Sequence, residues 1–151
     1  MNDMNDNGVV AGPASGRTGH ARILRGLAGT GFFATLAAMV ATTLAAALAQ
    51  AAGVDFEVPD GGETIPLSGF AAVTGFFSAV GVAIAVALRH WSARPAERFV
   101  WTAVSLTAIS LVPPLLAGAN TVTTTALLGL HLVPAAVMIP TLARSLRARI
   151  D

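Results

Sequence analysis

The chain carries nine cationic side chains, all arginines, in three short clusters that long apolar runs separate. They are Arg17, Arg22 and Arg25; Arg89, Arg94 and Arg98; and Arg144, Arg147 and Arg149. Between the first and second clusters the charged residues are all acidic, namely Asp55, Glu57, Asp60 and Glu63. Cytoplasmic loops of membrane proteins hold an excess of Lys and Arg. The pattern therefore predicts a membrane protein with its arginine clusters in the cytoplasm and its acidic loop on the opposite side.

The composition agrees with this class. The chain has 151 residues, enough for one domain, of which 54% are hydrophobic and only 11% charged, whereas a soluble domain has about 25% charged residues. The isoelectric point of about 9.1, with clustered arginines, predicts contact with anionic lipid headgroups of the bilayer rather than with nucleic acid. The absence of cysteine excludes disulfides and thiolate chemistry.

Uncharged runs predict two spans in the first half of the chain, over residues 26–52 and 67–88. The first is longer than the roughly 30 Å hydrocarbon core and can span it with tilt, and the second is about as long as a helix needs to be to cross it. Residues 1–21, rich in Asn, Asp, Gly and Ser, have no apolar periodicity and predict a disordered cytoplasmic tail. Residues 22–149 are the predicted transmembrane domain.

Residues 99–143 carry no formal charge, and as one helix they would be roughly 67 Å long, more than twice the thickness of the hydrocarbon core. The run must therefore fold back. Pro113 and Pro114, followed by turn residues at 118–121, place the break and predict a third span over 99–116 and a fourth over 123–143. An even number of spans puts both termini on the same side of the membrane, and the arginine clusters predict that this side is the cytoplasm.

The predicted fold class is all-α: an integral membrane four-helix bundle with a short, extracytoplasmic, β-hairpin-like loop between the first two helices. Residues 54–58 alternate apolar and acidic side chains, and a Pro-Asp-Gly-Gly turn follows, which is the pattern of a hairpin.

The first span has a second interpretation. Arg22 and Arg25, the apolar run and the segment Ala47-Leu48-Ala49-Gln50 imitate a signal peptide with a small-residue cleavage site. The run is well beyond the usual signal core of about 7–15 apolar residues, so an uncleaved span is favoured.

The acidic loop also has two interpretations. Its carboxylates and glycine turn offer oxygen ligands for calcium or another hard cation. Their spacing does not match an EF-hand loop, and acidic side chains are easily solvated at a surface. The favoured interpretation is a solvated cap without a metal, in which Val54, Phe56 and Val58 rest on the helix ends.

Small residues recur at every fourth position in the first two spans. They are Ala34, Ala38 and Thr42 in the first span, and Gly75, Ala79, Ala83 and Ala87 in the second. Such stripes let helix backbones approach closely, so we expect the two stripes to face each other. The alternative is that they serve as a homo-oligomer interface.

His131 is the ionisable residue inside a predicted span, and an intramembrane ionisable residue is a functional hypothesis by default. Ser110, Asn120, Thr124 and Thr125 are its expected hydrogen-bond partners. Together they form a candidate polar site for a proton relay or a pH sensor. Structural bonding between helices is favoured over a relay, because no intramembrane Asp, Glu, Lys or Arg continues a pathway.

No catalytic, phosphate-binding or zinc motif is present in the sequence. The prediction is a non-enzymatic membrane protein without a cofactor, which acts by helix association with itself, with lipid or with a membrane partner. The alternative is a small proton-linked or cation-linked permease or channel subunit that uses His131 and the acidic loop.

Two segments carry a resemblance to a known family. They are residues 56–59 (FEVP) and residues 131–144 (HLVPAAVMIPTLAR). The chain resembles, over about residues 22–149, a family of small four-span membrane proteins of high-GC bacteria that is catalogued as a domain of unknown function. The resemblance implies a four-helix protein of the bacterial cytoplasmic membrane with no assigned activity, so it supplies no catalytic residue.

Overall fold

The computed structural model describes residues 14–57 and 63–148, and within these ranges the chain forms five α-helices. They are α1 (Ala14–Ala51), α2 (Leu67–Trp91), α3 (Pro95–Ser110), α4 (Val112–Leu116) and α5 (Thr121–Arg147). Helices α3 and α4 together form one span, so four stretches are long and apolar enough to cross a membrane. They are Leu24–Ala51, Leu67–Trp91, Pro95–Leu116 and Thr121–Arg147. The all-α, four-span prediction is confirmed.

The helices extend beyond the predicted spans at the ends that carry arginine. Helix α1 begins at Ala14, so residues 14–21, predicted as part of a disordered tail, are helical, whereas residues 1–13 lie outside the described ranges. Helix α5 likewise continues to Arg147. Once an apolar span is helical, each further residue adds a backbone hydrogen bond without a new nucleation cost. The first charge therefore marks the edge of the apolar segment and not the end of the helix.

The helix of the third span is interrupted just before Pro113 and Pro114. Helix α3 ends at Ser110 and α4 begins at Val112, because a proline cannot donate to the carbonyl four residues earlier and its ring clashes with that carbonyl. The Leu111 N–H bonds instead to the Ala108 carbonyl at 3.3 Å, a tighter turn. Gly118, with φ +67°, makes the link from α4 to α5 in a conformation that glycine adopts without steric cost.

The four spans form an up-and-down bundle. Helix α1 packs against α2 and α5, and α3 packs against the same two helices on the far side. Helices α2 and α5 also touch across the centre, whereas the described residues of α1 and α3 do not meet. The end that carries Arg25, Arg89, Arg98 and Arg144 is called the basic end below. The opposite end, which carries Asp55, is called the loop end.

The interior has two clusters of buried apolar side chains. The larger lies toward the basic end and comprises Leu27, Ala34, Ala38, Ala85, Ala96, Phe99, Met138, Leu142, Ala143 and Leu146. The smaller lies at the loop end and comprises Ala46, Phe56 and Leu130. Half of the larger cluster is alanine, which allows the close backbone approach that drives helix association in lipid.

Large apolar side chains cover the outside of the bundle. Phe33 is 71% exposed and Phe77 is 65% exposed. Trp91 and Trp101, at the ends of the second and third spans nearest the arginines, are 79% and 70% exposed. Soluble monomers rarely expose apolar patches of this extent. These side chains are placed for contact with lipid chains, and the tryptophans lie where an interfacial belt is expected.

The described part of the loop between α1 and α2 contains one antiparallel bridge, Glu57 to Thr64, and no strand. The Ile65 N–H donates to the Phe56 carbonyl at 3.2 Å. The tip of the predicted hairpin, including Val58 and Asp60, lies outside the described residues. The hairpin therefore stays a prediction beyond this single bridge.

Candidate functional site

His131 lies half-buried on α5. Its Nδ1 is 2.8 Å from the Leu127 carbonyl oxygen, one turn earlier in the same helix. Because a carbonyl oxygen only accepts, Nδ1 carries the proton in this contact. The ring is thus bonded to the backbone of its own helix, and this contact needs no partner on another helix.

The residues expected around His131 are also bonded within their own segments. The Asn120 Oδ1 accepts from the Thr123 N–H at 2.8 Å and caps α5. The Ser110 hydroxyl donates to the Thr107 carbonyl at 2.7 Å, and the Thr124 hydroxyl donates to the Ala119 carbonyl at 3.3 Å. The structure thus gives each of the three a local partner instead of His131. Short polar side chains bond readily to nearby backbone, and in lipid this satisfies them without a neighbouring helix.

The small-residue stripe of α2 does not face α1 as predicted. Gly75 does, because a Cβ built on it would lie 3.0 Å from the Met39 sulfur, but Ala79 and Ala83 are exposed. The buried residues of α2 are Thr74, Ser78 and Ala85.

The physical reason is the helical repeat. At 3.6 residues per turn, a step of four residues advances by about 400°, so a strict every-fourth stripe drifts around the helix by about 40° a step. A step of seven residues falls only about 20° short of two full turns, and the buried set on α2 keeps closer to that spacing. The stripe of α1 stays buried through Ala34, Ala38, Thr42 and Ala46, and α1 contacts both α2 and α5.

The loop end contains a polar contact between distant segments that the sequence did not indicate. The Thr123 hydroxyl, in the first turn of α5, donates to the Asp55 carboxylate at 3.2 Å. Thr123 is 2% exposed. Phe56, which follows Asp55 in the loop, is fully buried. Its ring contacts that of Phe70 edge to face, with 5.0 Å between the ring centroids. The predicted apolar cap on the helix ends is therefore present for Phe56 and for half-buried Val54.

The acidic loop does not gather its carboxylates in the described residues. Asp55, Glu57 and Glu63 are exposed, and nowhere in residues 14–57 and 63–148 do three His, Asp, Glu or Cys side chains come together as a metal site would require. Asp60 lies outside these ranges. The described part of the loop thus contacts the helix ends through the Asp55 carboxylate and the buried Phe56, and half-buried Val54 and Ile65 pack beside them.

Two open concavities lie on the outer surface of the spans. The first is an apolar groove of about 590 Å³ between α3 and α5, lined by Val104, Thr107, Ala108, Leu111, Leu132, Ala135, Ala136, Ile139 and Pro140. The second, called the basic-end niche below, measures about 380 Å³ and lies between α1 and α5; its lining is Thr30, Thr141, Arg144, Ser145 and Ala148. The niche is the more polar of the two because it combines a guanidinium with three hydroxyls.

Four apolar spans with a mostly apolar interior and outward-facing aromatic side chains define a multi-pass membrane protein. Residues 22–148 match the family of unknown function DUF6069, and the chain belongs to that family. No curated protein and no solved structure matches the chain. The match confirms the resemblance to a family of unknown function that was expected from the sequence.

Proposed function

We propose that this protein is a non-enzymatic component of the bacterial cytoplasmic membrane, with both termini in the cytoplasm, and that it acts by lateral association with a second copy or with another membrane protein. One observation carries the proposal. Ala79 and Ala83, the middle of the small-residue stripe on α2, are exposed on the outside of the bundle instead of being used within it.

An exposed pair of small residues is informative in a membrane. Lipid chains are as apolar as leucine, so burial of apolar area gives little driving force between helices, and close backbone contact contributes more. Ala72 and Phe76 are exposed as well, and their spacing from Ala79 and Ala83 places all four on one face of α2. Between two such faces, the alanines allow close approach and Phe76 supplies contact area.

The association is tested in proteoliposomes by energy transfer between labelled copies as the lipid-to-protein ratio is varied. Ala79→Leu and Ala83→Leu place a larger side chain on this face and keep the two helices further apart. Each should weaken association about tenfold, or about 1.4 kcal/mol. Ala37→Leu is the matched control, because Ala37 is an exposed alanine on α1. Equal effects of Ala37→Leu and Ala79→Leu would remove the support for this face. If the wild-type protein does not self-associate, the same substitutions are tested for loss of a membrane protein that co-purifies with the wild type.

The orientation is tested separately, since the chain has no native cysteine. A membrane-impermeant thiol reagent applied to intact cells should label Glu63→Cys and leave Ala93→Cys unlabelled. The reverse labelling pattern would invert the proposed topology.

The permease alternative is tested by flux. It requires a proton or cation flux in proteoliposomes that His131→Ala abolishes. Because His131 bonds to its own helix, we expect no such flux, and a flux sensitive to His131→Ala would replace association as the function.

A further inference from the structure

We infer that the basic-end niche binds the headgroup of an anionic phospholipid. Arg144 lines the niche, and the planar set of donors of its guanidinium suits phosphate oxygens. Three hydroxyl-bearing residues, Thr30, Thr141 and Ser145, line it as well. The inference depends on the membrane class of the protein and not on the proposed association.

The hydroxyls favour a headgroup that donates hydrogen bonds as well as carrying charge. The Thr30 hydroxyl donates to the Gly26 carbonyl at 2.9 Å, and the Thr141 hydroxyl donates to the Val137 carbonyl at 2.6 Å. With its proton used in this way, each hydroxyl oxygen keeps lone pairs that can accept a bond. A phosphate paired with Arg144 and a glycerol hydroxyl directed to these oxygens would use both kinds of group. Phosphatidylglycerol has this chemistry.

The depth of the niche matches a lipid headgroup. Thr30 lies within the first apolar span, five residues beyond Arg25, which is roughly 7.5 Å along the helix axis. Arg144 lies in the last turn of α5. The interfacial layer on each side of a bilayer is about 5 to 8 Å thick. The niche therefore extends from the edge of the hydrocarbon core into the layer where lipid phosphates and glycerol groups lie.

The surroundings also suit a lipid. Exposed Phe33 and Ala37 follow Thr30 at three and seven residues, so they continue the same side of α1 into the membrane, where an acyl chain can lie along them. Exposed Arg22 and Arg25 add positive charge at the same end. Glu97, the acidic residue of this end within the described ranges, lies on α3 and pairs with Arg94 at 3.6 Å, and α3 does not border the niche.

The test uses the full chain in mild detergent, with phosphatidylglycerol and phosphatidylcholine of identical acyl chains, and bound lipid counted by native mass spectrometry. We expect phosphatidylglycerol to bind at least tenfold more tightly than phosphatidylcholine. Arg144→Gln should reduce that preference to below threefold. The matched control is Arg147→Gln, which removes the same charge from the last turn of α5 at a residue that does not line the niche; it should retain the preference.

A second variant separates shape from charge. Ser145→Leu fills the niche without changing the net charge and should also abolish the preference, provided that its thermal unfolding matches that of the wild type. Equal loss in Arg144→Gln and Arg147→Gln would show diffuse attraction and overturn the inference. Competition by water-soluble glycerol phosphate at the same concentration as the lipid would also overturn it, because the site would then recognise a free phosphate ester.

Discussion

Toward the basic end, buried side chains from all four spans form one continuous apolar cluster. Toward the loop end, three buried residues form the core, and one of them, Phe56, comes from the loop and not from a helix. The loop end adds the Thr123 to Asp55 hydrogen bond and the bridge between Glu57 and Thr64. One half is thus held by helix packing in lipid, and the other by a loop folded against the helix ends.

At the loop end, burial of one side chain offsets the strain in its own backbone. Phe56 has φ +50°, in the left-handed region, which costs a residue with a side chain about 1–2 kcal/mol. Complete burial of a phenylalanine side chain from water contributes about 1.5–3 kcal/mol, and its contact with Phe70 adds about 0.5–1.5 kcal/mol. Burial and ring contact together exceed the strain. Such a gain is available at the loop end because the residue would otherwise be in water.

The strongest test of the comparison is Phe56→Ala. Loss of a fully buried phenylalanine should lower the free energy of unfolding by about 3–5 kcal/mol, measured by reversible unfolding in mixed detergent micelles. Phe77→Ala is the control, since Phe77 is 65% exposed on the outer surface and should change stability much less. Equal losses from the two substitutions would mean that the loop does not anchor this end.

Gly31→Ala tests packing in the basic-end half. A Cβ at Gly31 would lie 2.6 Å and 2.7 Å from the two Val82 γ-methyl carbons, and a β-branched side chain cannot rotate both away. Overpacking should cost about 1–3 kcal/mol in the same unfolding assay. Gly29→Ala, where nothing lies within 4 Å, should instead stabilise by up to about 1 kcal/mol, because alanine is the better helix former. Stabilisation by both substitutions would show that the α1–α2 contact is loose.

Thr123→Val tests the polar contact of the loop end. It removes the hydrogen bond to Asp55 and should lower the free energy of unfolding by about 1–2 kcal/mol. This is near the lower end of the range for hydrogen bonds to charged groups, because Asp55 is exposed. The paired measurement is Thr125→Val, whose hydroxyl bonds to the Thr121 carbonyl of its own helix at 2.7 Å and should have little effect. A third variant carries both Asp55→Ala and Thr123→Val. If its loss of stability equalled the sum of the two single losses, the two residues would not interact.

The smallest effect is expected from Thr42→Val, between the two halves. Thr42 is 2% exposed, and its hydroxyl has no hydrogen-bond partner among the described residues. Removing an unsatisfied buried hydroxyl should stabilise the protein by about 1 kcal/mol. Thr43→Val provides the contrast, since the Thr43 hydroxyl donates to the Met39 carbonyl at 2.8 Å. Destabilisation by Thr42→Val would reveal a bound water or another partner at this hydroxyl.

The candidate polar site illustrates how far sequence reasoning reaches. Residue type and span assignment correctly singled out His131 as an ionisable side chain inside a span, but they did not determine its partner. Many acceptors lie within reach of a side chain in a helix, and the carbonyl one turn back is always among them. The pairing of Asp55 with Thr123 was not predictable either, because the two residues are far apart in the sequence. Nothing local marks two residues 68 positions apart as neighbours.

The amino-acid sequence by itself determined the membrane class, the four spans and the turn between the third and the fourth, because these depend on apolar length, charge placement and the chemistry of proline and turn residues, which act locally along the chain. The tertiary structure alone decided that Ala79 and Ala83 face outward, that Thr123 bonds to Asp55 and that Thr30 and Arg144 line the same niche. Both sides of a membrane helix are apolar, so hydropathy cannot tell the protein-facing side from the lipid-facing side. Only the packing of neighbouring helices makes that distinction.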